Sequence, residues 1–318
     1  MLDTEKVSDR YIAELPYLLG YEPTNSVVAI WLHADMTMAF AQRADIPDVE
    51  NDVSNFVTIG DHNPRSAALI LIYSDKSPSE LWDFAINIGD TVEDNDITVQ
   101  DILKVNGQEY STFFVPKDEL DSQETVKVDE TVLSQVQEYH KNQEIGSDRD
   151  SLMSKYLCAD EVSDDLTKLI KKLNQLIESL FDSEVKFNRE YALSYFIDVY
   201  ENWPDYPVEE LAILAIYLHD IKVRDEVLIQ INSLDKEGIE KALHIASKMF
   251  AVTPKEHSTP LYTVTAVMAW ISGNGALSNM LIDRALEVTP DYNLATLIKM
   301  AVSSGLNPSL WREVISEI

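Results

Sequence analysis

A single cysteine, Cys158, in 318 residues excludes an intramolecular disulfide and removes the thiolates on which most structural zinc sites depend. Its neighbours Tyr156 and Leu157 are apolar and no histidine or cation adjoins it, so the thiol reads as packed and not as a nucleophile. Glycine is almost as scarce. Nine in the whole chain leave little for a phosphate cradle, and there is no Walker loop, no Rossmann fingerprint after a strand, no G-x-S-x-G elbow and no H-E-x-x-H pair. Long apolar runs are missing as well. The best, Leu261 to Ile271, is about half of the roughly twenty residues a spanning helix needs, and reads as a buried core helix. The opening Met1-Leu2-Asp3-Thr4-Glu5-Lys6 lacks a basic stretch followed by an apolar core, so no secretory signal is expected and the cytoplasm is the expected compartment.

Positive charge is the other deficit. Only 25 basic residues face 55 acidic ones, a net charge of −30 distributed along the sequence. Such a field repels phosphate backbones and anionic lipid, which argues against nucleic acid and membrane as partners, short of an acidic mimic of DNA. The six histidines, His33, His62, His140, His219, His244 and His257, are widely separated, with no two on one helix at ligand spacing. Asp90 to Asp96 is dense in carboxylates but lacks the glycine and distal glutamate of a calcium loop, and reads as solvated. No metal, no cofactor and no catalytic residue is assigned.

What is present is an α/β pattern followed by helices. Val27 to Leu32 and Met36 to Gln42 read as strands joined through His33-Ala34-Asp35. Glu50 to Thr58 reads as a short helix, and Ala67 to Tyr73 as a strand buried on both faces. Ser77-Pro78-Ser79-Glu80 is a capping box opening a helix that shows Leu81, Phe84, Ala85 and Ile88 on one side. Ile97 to Val105 and Ser111 to Val115 are further strands, with Asn106-Gly107 as a two-residue hairpin turn. Past residue 125 the pattern is helical. Leu166, Ile170, Leu173, Leu176, Ile177 and Leu180 form a stripe of period 3.6, and helices follow at Tyr191 to Tyr200, Glu209 to His219, Glu226 to Ile231, Gly238 to Phe250, Leu261 to Ser272 and Ala276 to Val288. Thr253-Pro254-Lys255-Glu256 reads as a second capping box. Thr259-Pro260, Thr289-Pro290 and Asn307-Pro308 each place a capping side chain before proline, and Gly273 and Gly305 suit left-handed stops. The expected organisation is an α/β (α+β) sheet domain over residues 1–145 and an all-α helical domain over 146–318.

The segment Pro16-Tyr17-Leu18-Leu19-Gly20-Tyr21, then Asn25-Ser26-Val27-Val28 and Arg43-Ala44-Asp45-Ile46-Pro47, resembles the opening of an actinobacterial family, domain of unknown function DUF4192. Val223-Arg224-Asp225, Gly273 to Ser278, Asp283 to Leu286 and Pro290 to Ala295 are similar to its later segments, and Gln108 to Gln143 matches least. The resemblance implies no reaction, ligand or catalytic residue. Its signature residues Pro16, Tyr17, Leu18, Leu19, Gly20, Tyr21, Arg224, Asp225, Gly273 and Pro290 are expected to be structural. Trp270, Gly273, Ala285 and Pro290 are also similar to one tetratricopeptide unit, and the tail reads as a short, degenerate solenoid-like bundle.

Two clusters hold chemistry. Arg43 and Asp45 share a face at a strand end, and Asp61, His62 and Arg65 lie in the loop before the central strand; together they could bind an anion or move a proton, or the first two could simply pair. Asp220 and Arg224 stand at i,i+4 as a helix-face ion pair. Tyr17, Tyr21 and Trp31 read as core or interface packing more than as a stacking platform. The expected function is a non-enzymatic protein-binding or scaffold module that uses the helical half. The rival is an enzyme or small-ligand sensor that takes an anionic metabolite or nucleotide on the sheet domain.

Overall fold

A helix that composition conceals opens the chain. In the computed structural model α1 (Thr4–Leu19) runs through Pro16 and buries Tyr11, Ile12, Leu15 and Leu19 along one stripe. Pro16 sits in the last turn, where it can give no N–H to the Ile12 carbonyl one turn back, and Gly20 closes the helix at φ +81° with its N–H donating to the Pro16 carbonyl at 2.8 Å. The structure describes residues 4–46, 49, 53–54, 66–141, 145–158, 168, 171–172, 175, 188–207 and 210–311. Two compact units divide it, one built on Met1–Arg149 and the other on Asp150–Ser303.

The first unit is a mixed six-stranded sheet of order β2-β1-β3-β4-β5-β6: β1 (Ser26–Leu32), β2 (Met38–Asp45), β3 (Ala67–Tyr73), β4 (Thr98–Asn106), β5 (Glu109–Thr112) and β6 (Val126–Lys127). β1 lies antiparallel to both β2 and β3, whereas β3 and β4 are parallel and are linked through α2 (Pro78–Glu93). Every residue of β1 and β3 is buried, as their unbroken apolar runs require of strands covered on two faces. Val27, Ala29, Trp31, Ala68, Ile70 and Ile72 pack against Leu81, Phe84, Ala85, Ile88 and Val92 of α2. The opposite face carries Leu69, Leu71, Tyr73 and Val105 towards α1, which packs on α3 (Glu130–Tyr139), and Tyr110 on β5 donates its hydroxyl to Asp9 of α1 at 2.9 Å. The Ser77 capping box at α2 is complete, with Glu80 accepting the Ser77 N–H.

Two details in this unit differ from the sequence reading. The hairpin loop is Gly107-Gln108, because Asn106 still pairs with Glu109. Gly107 thereby takes the first central position at φ +60°, the place a type II′ turn reserves for glycine. The fifth strand accordingly starts earlier than Ser111, and the brief exposed β6 lies within the stretch read as non-strand. The helix expected at Glu50 to Thr58 falls largely outside the described residues.

The second unit is helical. After α4 (Arg149–Ser154) come α5 (Arg189–Asn202), α6 (Leu211–Tyr217), α7 (Ile221–Asn232), α8 (Lys236–Phe250), α9 (Thr259–Ile271), α10 (Gly275–Val288) and α11 (Asn293–Ser303). α9 is buried at every residue and packs on α7, α8, α10 and α11, so it is the axis of the bundle. Gly273 (φ +90°) and Gly305 (φ +65°) are the left-handed stops expected of them. The apolar stripe from Leu166 to Leu180 lies outside the described residues; between its ends only the polar positions Lys168, Lys171, Lys172 and Gln175 are described, all helical and exposed. The capping at Thr253 is a correction. Thr253 is fully buried and donates to the Met249 carbonyl, closing α8, and the Lys255–His257 turn beyond it has no side-chain cap. Thr259 and Thr289 likewise join hydroxyl to hydroxyl at 2.8 Å, tying the start of α9 to the end of α10. Asn307 does cap, accepting the Ser309 N–H at 2.9 Å.

Candidate functional site

Because β3 and β4 are parallel and β1 runs against them, the Tyr73 and Asn106 ends of the first two meet the Ser26 end of the third, with α1 and α3 packed alongside. The carboxyl ends of parallel strands are where open α/β sheets bind ligands. A cavity of about 700 Å³ lies there. Ile12, Ala13, Tyr73, Val105 and Val136 line it with apolar surface, while Glu22, Asn25, Asp75, Asn106, Gln108 and Gln137 add polar groups, most of them exposed. Among the described lining residues there is no lysine or arginine.

Two features of the cavity follow from the family-like segment and a third from β3. Glu22 donates its backbone N–H to the Gly146 carbonyl at 3.2 Å, and Gly146 returns one to Gly20 at 2.8 Å, which holds the strap after α1 in place. Tyr17, on the lining, stacks on His140 at 4.4 Å between ring centres. Tyr73 is only 7% exposed, and its hydroxyl has no hydrogen-bond partner among the described residues. Burial, reinforced by the Glu22 carboxylate, raises the phenol far above its ordinary value, so it stays protonated. Partial desolvation also raises the Glu22 carboxyl.

The expected cluster around Arg43 is brought together in part. Arg43 and Asp45 pair at 2.6 Å, Arg149 reaches the other Asp45 oxygen at 3.7 Å, and Asp61, His62 and Arg65 lie outside the described residues. Arg43 is largely buried, and its Nε has no hydrogen bond among the described residues. The phenol of buried Tyr21 is raised by desolvation and eased back by Arg43 and Arg149. Trp31 is wholly buried, stacked on Phe40 and bonded through Nε1 to Gln42, so it is core. Of the aromatics Tyr17, Tyr21 and Trp31, only Tyr17 lines the cavity.

In the helical unit the i,i+4 pairing of Asp220 with Arg224 gives way to different partners. Asp220 caps α7 and is gripped by Arg189, while Arg224 pairs with Asp225 at 2.6 Å and donates to the Tyr292 hydroxyl at 2.9 Å, its guanidinium over that ring. A helix's first turn presents the Asp220 carboxylate to backbone N–H groups, which is why capping wins over the neighbour one turn on. Gly273 turns the chain between α9 and α10, and exposed Pro290 follows the end of α10. Half-buried Cys158 donates its thiol to the Tyr262 hydroxyl at 3.4 Å, and Tyr262 donates onward to the Tyr156 carbonyl at 3.0 Å. Among the described residues no group of His, Cys, Asp and Glu gathers to hold a metal ion, and no helix is long and apolar enough to cross a membrane.

A second cavity, of about 460 Å³, opens between α5, α7, α8 and α9. Phe196, Ile197, Leu218, Ile231, Met249 and Met268 give it an almost wholly apolar lining, and its charged lining residues are the carboxylates Glu201 and Glu226. Ile197 stands 45% exposed at this surface.

Neither cavity is named by the sequence. Each is assembled from side chains far apart in the chain, and only local marks of the first are visible there: the glycine turn at Gly107 and the segment from Pro16 to Asn25. No curated protein and no solved structure matches the chain. The family described as domain of unknown function DUF4192 matches residues 10–309, which takes in both cavities and nearly the whole sequence, and the chain belongs to that family.

Proposed function

We propose that the protein is a non-enzymatic binding module whose helical unit seats a segment of a partner protein, a basic amphipathic helix. The observation that supports this is the apolar groove of about 460 Å³ bordered by Glu201 and Glu226. Helices lay apolar anchors at i, i+3/4 and i+7 into grooves of this kind, and lysines flanking those anchors would meet the two carboxylates and the field of a chain at net −30. The tetratricopeptide-like pairing of α9 and α10, with Trp270 and Ala285 both buried, belongs to the same reading. A fluorescent amphipathic peptide with a lysine flank should bind the full chain, and its glutamate-flanked counterpart should not. Ile197→Asp should abolish that binding while leaving the fold intact, since the side chain is already half in water. Equal binding of both peptides, or binding that survives Ile197→Asp, would refute the reading.

The sheet unit supports a second reading, a small-ligand sensor, through the cavity at the ends of β3 and β4. The anionic ligand that the sequence suggests for this unit belongs to the cluster around Arg43 and Asp45, whose other members lie outside the described residues, and not to this cavity.

A further inference from the structure

We propose that the cavity at the carboxyl ends of β3 and β4 is a site for a small organic cation, an amine or guanidine carried on an apolar body. The inference rests on the small-ligand reading of the sheet unit and fixes the chemical class of the ligand.

Size comes first. About 700 Å³ falls within the few hundred to about a thousand Å³ typical of small-molecule sites, large enough for a ring with a short amine arm. Polarity comes second. The apolar part, from Ile12, Ala13, Val105 and Val136, would cover the body of such a molecule, and Tyr17, stacked on His140, stands on the same lining.

Charge decides the class. Glu22 and Asp75 both line the cavity, and among the described residues no lysine or arginine lines it with them. An anion entering there would meet two carboxylates without a compensating cation. A neutral guest would offer no countercharge to Glu22 and Asp75, whereas an ammonium supplies one.

Tyr73 adds a polar contact. Its side chain is 7% exposed and lines the cavity, and its hydroxyl is not among the fully buried atoms that lack a partner, so it opens on that space. Its oxygen can accept from an ammonium N–H, and its own O–H can donate to Glu22, whose charge it feels. Pairing of Tyr73 on β3 with Ser26 on β1 and Val105 on β4 fixes that hydroxyl on rigid elements.

Calorimetric titration of the full chain with three probes of one shape, phenethylamine, 2-phenylethanol and phenylacetate, at matched ionic strength and millimolar concentration, tests the proposal. Phenethylamine should bind saturably, one per chain, and the other two should not. Glu22→Gln, at the exposed rim where folding does not depend on it, should weaken the amine about tenfold. Tyr73→Phe should weaken it too, while Asp90→Asn, an exposed carboxylate outside the cavity, should leave it unchanged and so exclude attraction by the bulk charge. Phenylacetate or phenylethanol binding as tightly would overturn the cationic class and keep the small-ligand site. No saturable binding by any probe would overturn both, and amine binding indifferent to Glu22→Gln and Tyr73→Phe would overturn the placement.

Discussion

The carboxylate of Asp220 serves two helices at once: Arg189, the first residue of α5, donates to both of its oxygens at 2.7–3.0 Å, and one of those oxygens also accepts the N–H groups of Lys222 and Val223 at the start of α7. The Asp220 side chain is nearly buried while Arg189 remains half exposed, so the cap is the part least shared with water. Asp220→Ala should lower unfolding free energy by about 1–2 kcal/mol in urea titrations, as loss of a good N-cap does. Arg189→Met should cost less. The Arg189 hydrogen bond holds the Asp220 carboxyl below its ordinary 3.8, so this contribution is complete above 3.8 and is lost as pH falls through the folded value. Asp220→Asn should therefore flatten the acid limb of the stability curve.

How much of this is legible in the sequence varies with how local each cause is. β3 and the Ser77 box can be read because a seven-residue apolar run and a four-residue cap each carry their whole reason within themselves. α1 cannot, since Pro16 looks like a terminator until Gly20 is seen to take the last bond of the turn. Thr253 has the pattern of a cap for the Lys255–His257 turn and instead closes α8, a choice made by its burial against that helix. The candidate sites fare worst. Tyr17, Tyr73 and Gln137 stand far apart in sequence, and only sheet order and the packing of α1 on α3 bring them to one cavity.

Two glycines should respond with opposite signs. Gly20 is buried at φ +81°, a region costing L residues about 1–2 kcal/mol, so Gly20→Ala should destabilise by about that amount. Gly275 opens α10 with open space where a Cβ would stand and without a positive φ, so Gly275→Ala should stabilise by about 0.5 kcal/mol. Thermal melts of the two variants decide whether the Gly20 signature is a backbone requirement. A neutral Gly20→Ala would deny it.

His219 should make the helical unit sensitive to mild acid. Its Nε2 lies 3.1 Å from the His257 carbonyl, the two rings meet edge to face at 5.9 Å, and Arg224 lines the same hollow. Burial is the main cause that lowers the imidazole below its ordinary 6.5, opposed by that carbonyl, and His257 is lowered likewise by burial. The unfolded chain then binds a proton that the folded one refuses, so stability is full above 6.5 and declines as pH falls from there to the folded value. Denaturant midpoints across that window should drop in the wild type and drop less in His219→Gln. Equal slopes would show that the imidazole gains its proton without cost to the fold.

The groove between α5, α7, α8 and α9 can be tested by filling it. Ala246 on α8 is 2% exposed and lines the groove, so a larger side chain there projects into free volume instead of packed neighbours. In a filled core, Ala246→Leu would overpack and cost about 1–3 kcal/mol. In a real cavity the added methyl groups gain contacts, and the melting temperature should hold or rise. The same substitution should weaken the lysine-flanked peptide, because its anchors and the new leucine compete for one space. A variant that melts well below the wild type would mean that α8 already packs tightly against its neighbours, leaving a partner no room to enter.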